Sequence, residues 1–334
     1  IAVDTDRTTT KGRVFAMLRE AGGNWRSGEE LSRLLGVSRA AVAKHVRALR
    51  GEGHQIEAMT RRGYRLMAEA DVLAVGVIRR GLPTRCFGQG DFVLHDSTDS
   101  TNREAALLAL DGAKEGTVVV ASAQTAGRGR GGRPWSSPAG VGVYVSLVLR
   151  PRLAPQAAPL VTLMTAVAVA EAVTAVTGLA ARAKWPNDVL LHGRKVSGNL
   201  TEVALVADAV SHVVTGAGIN VNTRAEDLPE DLREKATSLA IELGRPVSRV
   251  EVLRAFLERA EHWYAALREG DPGPVIARWK ELSSIVGTPL RVGTPHGVVE
   301  GLVADVDPDG LLRLVDAAGH EHRLYAGDVI DSRP

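Results

Sequence analysis

Apolar residues near the N-terminus recur every three or four positions, and this period predicts three successive helices. Their apolar faces are formed by Val14, Met17 and Leu18, by Leu31, Leu34 and Leu35, and by Val42, Val46 and Leu49. Residues 55–59 and 63–66 then follow a pattern that favours a β-hairpin. Two helices joined by a turn at Gly36 and followed by a hairpin are typical of a winged helix-turn-helix.

The middle of the chain, from about residue 85 to residue 283, alternates short strand-like apolar runs with longer helical ones. This alternation predicts a mixed α/β domain, and a short helix over 71–80 is expected to lead into it. The predicted strands are 92–95, 117–121, 142–149, 181–185, 189–191, 198–206 and 211–219. The predicted helices are 102–110, 159–177 and 249–269.

The C-terminal segment has a third pattern, in which Gly, Pro and Asp separate short β-rich runs. These runs are 289–292, 297–305, 311–315 and 320–325. Their spacing predicts a small β-barrel. Together the three patterns predict an α+β protein with domains at 1–68, 69–283 and 284–334.

The composition, 45% apolar and 24% charged over 334 residues, is typical of a soluble globular protein with two or three domains. A single cysteine, Cys86, excludes an internal disulfide framework and a cysteine-rich zinc site. The longest apolar run, 160–178, contains Glu171 and four threonines, so we predict a buried helix and no membrane span. Residues 1–20 show no secretory signal pattern, and a cytoplasmic location is expected.

Positive charge is concentrated near the N-terminus. Residues 1–70 contain 13 Lys and Arg against 8 Asp and Glu, whereas the remainder contains 28 against 31. Excess cations on a helix-turn-helix indicate nucleic-acid binding, although a protein-interaction module with solvated charges is the alternative. The residues predicted to face DNA are Ser38, Arg39, Ala40, Lys44 and Arg47 on the third helix, and Arg61 and Arg62 at the hairpin tip.

A cationic loop, Gly127–Trp135, lies between two predicted strands and contains three arginines and four glycines. Glycine allows a close approach of the backbone to a ligand, and arginine presents a planar fork of donors suited to phosphate and carboxylate. Alone, the pattern also fits a basic hairpin tip at the surface. A second polar motif, Lys184-Trp185-Pro186-Asn187-Asp188, is followed by Lys195 and Gly198.

Together these two motifs resemble the catalytic signatures of the biotin protein ligases, and the resemblance covers nearly the whole chain. Residues 11–66 resemble the winged helix of the bifunctional biotin ligase/repressors, most clearly over 36–45. The resemblance implies a winged helix-turn-helix, a central domain of the biotin/lipoate ligase type and a C-terminal SH3-like β-barrel. It also implies a two-step reaction, in which ATP and biotin form biotinoyl-AMP and an acceptor lysine then takes the biotinoyl group.

The resemblance assigns roles to individual residues that lie in matching motifs. The implied catalytic residues are Lys195, Arg128, Arg130, Lys184 and Asp188. The implied biotin-binding residues are Ser100, Thr101, Asn102, Gln124, Arg128, Gly129, Arg130, Lys195 and Gly198. The implied nucleotide-binding residues are Arg130, Trp135, Lys184, Asn187 and Asn220. The segment Ser100-Thr101-Asn102 is also expected to cap the helix that follows it.

Biotin and ATP are the implied substrates, and Mg²⁺ is expected to arrive with ATP because no Cys/His cluster indicates a protein-bound metal. The implied partners are the biotin carboxyl carrier protein of acetyl-CoA carboxylase, operator DNA, and a second copy of the chain in a ligand-promoted homodimer. The chain departs from the family at Asn199, where an aliphatic residue is usual, and biotin affinity would differ if this side chain faced the pocket.

Three other functions stay open at this point. One is a biotin-sensing regulator without ligase turnover, and another is a ligase of the related lipoate type. The third is a biotin ligase whose winged helix no longer binds DNA.

Overall fold

The computed structural model describes residues 9–51, 54–68 and 71–331. The chain divides into two compact units, Ile1–Gly76 and Val77–Pro334. The short helix predicted over 71–80 is present in the narrower range Val75–Arg79 (α4). The two units are described separately below.

The first unit consists of three helices and a hairpin, as predicted. The elements are α1 (Thr10–Glu20), α2 (Gly28–Leu35), α3 (Arg39–Gly51), β1 (Gln55–Met59) and β2 (Gly63–Ala68). Ser27 begins α2 by accepting a hydrogen bond from the Glu30 amide at 3.0 Å, and Gly36 ends it with a left-handed φ of 67°. The predicted apolar faces form one core, except that Leu34 is 53% exposed.

The hairpin is fixed against the segment between α1 and α2. Arg26 and Tyr64 exchange two backbone hydrogen bonds of 2.9 Å, so Arg26 extends the β1–β2 pair by one bridge. Gly63 has a φ of 99°, and a Cβ atom there would lie 2.0 Å from the Arg26 carbonyl oxygen. Only glycine permits this approach, and the wing therefore has a defined position relative to the helices of its own unit.

A seven-stranded sheet forms the framework of the second unit. Its strands are β3 (Phe92–His95), β4 (Val118–Ala121), β5 (Gly142–Leu149), β6 (Arg182–Lys184), β7 (Asp188–Leu191), β8 (Arg194–Val206) and β9 (Ala209–Asn220). Their order is β3-β4-β5-β9-β8-β7-β6, with β3 and β4 parallel and the other pairs antiparallel. The predicted strands are all present, although β8 begins four residues earlier than expected.

Helices cover this sheet. They are α5 (Thr101–Leu110), α6 (Pro159–Thr177), α7 (Leu239–Leu243), α8 (Arg249–Arg268) and α9 (Gly273–Ser283). Residues 155–177 are long and apolar enough to cross a membrane by length and composition alone, but α6 contacts α8, α9, β8 and β9 and is largely buried among them. It is therefore the core helix that the sequence predicts.

Five further strands form an antiparallel sheet at the C-terminal end of the second unit. They are β10 (Pro289–Thr294), β11 (Gly297–Val306), β12 (Leu312–Val315), β13 (Glu321–Leu324) and β14 (Asp328–Asp331). The order β13-β12-β11-β10-β14 brings the last strand back to the first one of the set. The sequence predicted four of these strands and missed β14.

Candidate active site

Two adjoining cavities on the second unit contain all the predicted ligand-contacting positions. The large cavity has a volume of about 510 Å³, and the small pocket has a volume of about 30 Å³. Arg128, Trp135, Gly198 and Leu200 line both of them. The large cavity is also lined by Gly129, Arg130, Lys184, Asn187, Asp188, Lys195 and Asn220, and the small pocket by Ser100, Thr101, Asn102 and Gln124.

Lys195 lies in the large cavity at the beginning of β8. Its ammonium is 2.6 Å from Oδ1 of Asp188 in an ion pair, and 5.3 Å from the centroid of the Trp135 ring. Asp188 comes to this position because β6, β7 and the Lys184–Asp188 turn form a hairpin next to β8. A lysine held between a carboxylate and an aromatic face has a fixed direction, which prepares it to meet an anion entering the cavity.

Trp135 forms the boundary between the two cavities. A Cβ atom on Gly218 would lie 2.3 Å from Nε1 of the indole, and one on Gly198 would lie 3.1 Å from its Cζ3. Paired glycines on β8 and β9 therefore permit the ring to lie flat against the sheet. The buried indole Nε1 has no hydrogen-bond partner in the part of the chain that the structure describes.

Apart from Arg128, the residues that line the small pocket are neutral, and several of their side chains are hydrogen-bonded to one another. Oε1 of Gln124 accepts from the amide of Thr101 at 2.8 Å and from its hydroxyl at 3.1 Å. The Ser146 hydroxyl donates to Oδ1 of Asn102 at 2.6 Å and lies 2.8 Å from the Thr101 hydroxyl, and Nδ2 of Asn102 donates to Glu202 at 2.8 Å. These contacts fix the pocket before any ligand is bound.

The capping prediction for the start of α5 is wrong in one respect. Ser100 occupies the N-cap position, but its side chain makes no capping hydrogen bond. The side chains of Thr101 and Asn102 face the network around Ser146. The segment therefore contributes polar groups to the small pocket rather than closing the end of the helix.

The three arginines of the cationic loop are held by carboxylates. Arg128 donates to Glu202 at 2.9 Å, while Arg130 and Arg133 both pair with the single carboxylate of Asp328 on β14. Arg130 also donates to the Gly327 carbonyl at 2.7 Å. Each arginine that is predicted to meet a ligand anion thus has a protein anion as its present partner.

Two side chains that are predicted to bind the nucleotide each donate one amide hydrogen to a backbone carbonyl. Nδ2 of Asn187 donates to the Asn199 carbonyl at 2.7 Å, and Nδ2 of Asn220 donates to the Thr237 carbonyl at 3.0 Å. Both side chains are buried, so these bonds fix the turns that surround the cavity. The side-chain oxygen and the second amide hydrogen of each asparagine are left for a ligand.

Asn199 does not place its side chain on the floor of the site. Its Oδ1 accepts a long hydrogen bond of 3.5 Å from Ser197, which puts both side chains on one face of β8. Gly198, whose Cβ position faces Trp135 and Lys195, lies on the other face. Asn199 lines the large cavity but is only 2% exposed, and its backbone carbonyl accepts from Nδ2 of Asn187 at 2.7 Å.

Several residues that shape the site belong to none of the predicted sets. Glu202 connects Asn102 to Arg128, Ser146 connects Thr101 to Asn102, and Asp328 binds the arginine loop. The segment after β9 supplies another wall of the large cavity, formed by Asp227, Leu228, Pro229, Asp231, Leu232, Lys235 and Ala236. No local sequence pattern marked these residues as part of the site.

The predicted DNA-contacting residues all lie on the surface of the first unit. They are the exposed residues Ser38, Arg39, Ala40, Lys44, Arg47, Arg61 and Arg62. Ser38 also accepts from the Ala41 amide at 3.1 Å and so begins α3. The five cations among them form no ion pair with any carboxylate in residues 9–51 and 54–68, which leaves them available for phosphate.

Comparison with known proteins gives the family. The biotin/lipoate A/B protein ligase family matches residues 94–220, an HTH domain matches 12–65, and the biotin protein ligase C-terminal domain matches 286–330. The chain is 38% identical to the bifunctional ligase/repressor BirA of Bacillus subtilis, over 97% of this chain and 99% of that protein. The chain belongs to the biotin protein ligase family.

Other members of the family extend the comparison. The bifunctional ligase/repressor BirA of Escherichia coli is 31% identical over 90% of this chain and 91% of that protein. The biotin–[acetyl-CoA-carboxylase] ligase of Mycobacterium tuberculosis is 35% identical over 80% of this chain and 100% of that protein. The biotin protein ligase of Aquifex aeolicus in complex with biotin and ATP superposes with a TM-score of 0.60 at 29% identity, covering 71% of this chain and 97% of that one.

These comparisons confirm the predicted fold class. The order is a helix-turn-helix domain, a ligase domain and the C-terminal domain of the family. Among the described residues, no group of three or more His, Cys, Asp or Glu side chains is arranged to hold a metal ion.

Proposed function

We propose that this chain joins biotin to a lysine of a biotin carboxyl carrier protein, in two ATP-dependent steps. The carboxylate of biotin attacks the α-phosphorus of ATP, biotinoyl-5′-AMP forms, and pyrophosphate leaves. The acceptor lysine then attacks the acyl carbon and AMP leaves. The observation that carries the proposal is the division of one continuous site into a largely neutral hydrogen-bonded pocket and a cationic cavity, with Trp135 and Arg128 lining both.

Each half of the site suits one substrate. The ureido ring of biotin is neutral and both donates and accepts hydrogen bonds, which is the chemistry that Thr101, Asn102 and Gln124 offer. The triphosphate of ATP is an anion, which suits the arginines and lysines of the large cavity. Ser100, Gly129 and Gly198 complete the proposed biotin site, and Trp135, Asn187 and Asn220 the proposed nucleotide site.

Lys195 is the central residue of the proposed mechanism. Its ammonium lies at the boundary of the two halves, where the biotin carboxylate and the α-phosphate have to meet. Because both groups are anions, their approach requires a positive charge that is fixed in advance. Arg128, Arg130 and Lys184 neutralise the remaining charge, and Asp188 orients Lys195 in the first step and the acceptor amine in the second.

Mg²⁺ is expected to enter on the triphosphate, where it shields phosphate charge. The protein's own part is to hold the two anions and to exclude water from the activated acyl group.

Closure of the cationic loop, Gly127–Trp135, is part of the proposal. The small pocket, at about 30 Å³, is far below the roughly 300 Å³ at which ligand sites begin. Biotin therefore requires displacement of Trp135 and of the loop that carries it. When the loop closes again, Arg128 and Arg130 exchange Glu202 and Asp328 for ligand anions.

We also propose that the winged helix represses transcription in response to biotin. Biotinoyl-AMP would then be both intermediate and corepressor, and its binding would promote a homodimer that presents two winged helices to an operator. The exposed cations on α3 and on the wing support DNA contact, and relatives named as ligase/repressors match nearly the full chain. A location in the cytoplasm and domains at 1–68, 69–283 and 284–334 complete the proposal.

The test of the ligase is intact-mass analysis of a biotin carboxyl carrier domain incubated with this protein, biotin, ATP and Mg²⁺. We expect the mass to increase by one biotinyl group only when ATP is present. Biotin binding without any gain would instead support a sensor, and a gain with lipoate but not with biotin would support the lipoate alternative.

The test of DNA binding uses random duplex DNA and variants Lys44→Ala and Arg47→Ala. Each should weaken binding and reduce the salt slope by about 1, as expected for loss of one phosphate contact. Exposed Arg33, on α2, provides the matched control as Arg33→Ala. Unchanged binding in both variants would contradict DNA contact through α3, and operator affinity that does not respond to biotin plus ATP would contradict the repressor proposal.

A further inference from the structure

Lys235 is a cation of the large cavity that lies outside every recognised motif. It lines the cavity together with Arg128, Arg130, Arg133, Lys184 and Lys195. Four of these six cations are held by carboxylates: Arg128 by Glu202, Arg130 and Arg133 by Asp328, and Lys195 by Asp188. Across the described ranges, Lys184 and Lys235 form no ion pair, so they are the cations that an incoming anion meets without first displacing a carboxylate.

The backbone of Lys235 is attached directly to the strand that carries Lys195. The Lys195 amide donates to the Lys235 carbonyl at 2.7 Å, and the Thr237 amide donates to the Lys195 carbonyl at 2.9 Å. On its other side, the Lys235 amide donates to the Leu232 carbonyl at 2.9 Å. These bonds hold the two lysines on neighbouring chain segments at one edge of the cavity.

The acidic residues on the same wall do not neutralise Lys235. Asp227 already accepts two hydrogen bonds from Arg224, at 2.7 and 2.9 Å. Asp231 lines the cavity but forms no ion pair with Lys235. The wall therefore presents a lysine whose ammonium can move on a four-carbon stem while its backbone stays fixed.

Adenylate formation requires positive charge at two places. At the α-phosphorus the P–O bond to the β-phosphate breaks, and the pyrophosphate leaves with the electron pair, so negative charge accumulates on the leaving group as well. Lys195 serves the reacting centre. Lys235 lies on the neighbouring segment and forms no ion pair within the described ranges, so it is suited to bind the β- and γ-phosphates.

We propose that Lys235 binds the β- and γ-phosphates of ATP and the pyrophosphate that leaves. This assignment rests on the proposed ligase function and extends it to a residue in the segment between β9 and α7. The assignment predicts that Lys235 affects the binding of ATP and pyrophosphate but not that of biotinoyl-AMP, which lacks the β- and γ-phosphates. A residue that contacted adenine, ribose or the α-phosphate would affect biotinoyl-AMP as well.

The experiment compares the full-length protein with Lys235→Ala, Lys235→Arg and a matched surface variant, Lys114→Ala. Lys114 is exposed in the turn before β4 and lies outside both cavities. We would measure KM for ATP and inhibition by pyrophosphate in the first step, then transfer to a carrier domain from preformed biotinoyl-AMP. Direct binding of pyrophosphate with Mg²⁺, by calorimetry, is the fourth measurement.

In Lys235→Ala we expect KM for ATP and Ki for pyrophosphate to rise about tenfold, a factor that suits one charged contact at an exposed site. Transfer from preformed biotinoyl-AMP should stay unchanged, Lys235→Arg should restore most of the loss, and Lys114→Ala should resemble the wild type. Unchanged ATP and pyrophosphate constants overturn the assignment, and so does an equal loss in the transfer step. Failure of the wild type to form biotinoyl-AMP would instead contradict the ligase proposal, and the calorimetric comparison would then decide the role of Lys235.

Discussion

The small pocket and the large cavity prepare for their ligands in opposite ways. Apart from Arg128, the small pocket is lined by neutral groups, several of them bonded to one another, such as Thr101 with Gln124 and Ser146, and its volume is only about 30 Å³. The large cavity has a volume of about 510 Å³, and its arginines and Lys195 are bound to protein carboxylates. Neutral groups can be fixed by the fold at little cost, whereas converging cations repel one another and require counter-ions until a ligand arrives.

The largest effect is expected where the two regions meet. In Lys195→Ala the ammonium held beside Trp135 and Asp188 is removed, so biotinoyl-AMP formation should fall about a thousandfold, the upper end of the effect of one transition-state donor. Pyrophosphate release in a single turnover measures it. Biotin affinity should change far less, because the polar network of the small pocket is untouched. A folded Lys195→Ala protein with normal turnover would remove Lys195 from the mechanism.

The boundary can also be disturbed sterically. In Gly218→Ala the new Cβ would lie 2.3 Å from Nε1 of Trp135, so the indole has to leave its place on the sheet. We expect kcat/KM for biotin to fall about a hundredfold, since a displacement of about 1 Å near reacting groups has that effect. Gly90→Ala is the control, because a Cβ there meets nothing within 4 Å. Equal activity of the two variants would show that Trp135 does not need this position.

The two regions also differ in how well the sequence predicted them. Elements with a long continuous apolar run, such as α6 and β5, appear with the expected bounds because burial on all sides marks them in the local sequence. Helix α9 was missed because Pro272, Gly273 and Pro274 read as a loop, although Val275, Ile276 and Trp279 are buried at helical spacing. The signal for α9 was present but was overruled by turn-forming residues.

Contacts between distant segments of the chain could not be predicted from the sequence alone. The motifs identified the ligand-facing positions, and the structure gathers them around the two cavities. The partners Glu202, Ser146 and Asp328 meet those motifs only through strand order and register, which no local pattern encodes. The network of the small pocket and the counter-ions of the large cavity are therefore results of tertiary structure.

A smaller effect should follow from removing a counter-ion of the large cavity. In Asp328→Asn the two arginines Arg130 and Arg133 lose the carboxylate that competes with phosphate. Exposed ion pairs contribute at most about 1 kcal/mol each, so KM for ATP should fall by up to about tenfold, with little change in KM for biotin. Steady-state kinetics at low and high salt measure this, and the difference should shrink at high salt. A rise in KM for ATP would mean that Asp328 holds the arginines in their binding positions.

The smallest effect on activity is expected behind the wall of the large cavity. Glu242 accepts a hydrogen bond from Thr237 at 2.5 Å and one from Arg194 at 2.6 Å. It therefore connects the segment that follows Lys235 to the beginning of β8. Burial alone would raise the pKa of this carboxyl, but its hydrogen bonds with Thr237 and His192 and the charge of Arg194 outweigh burial, and the pKa is lowered from its usual 4.5.

Because the pKa of Glu242 is lower in the folded state, the folded protein binds fewer protons than the unfolded chain between the folded pKa and about pH 4.5. The stabilisation is therefore complete above about pH 4.5 and is lost as the pH falls through the folded pKa. Glu242→Gln should remove about 1.5 kcal/mol at pH 7, which lowers Tm by about 3–6 °C, while turnover below Tm changes less than twofold. The difference in Tm should shrink at acid pH, because the wild-type carboxylate is then protonated as well. A pH-independent difference would show that the loss arises from packing and not from the charge that stabilises this wall.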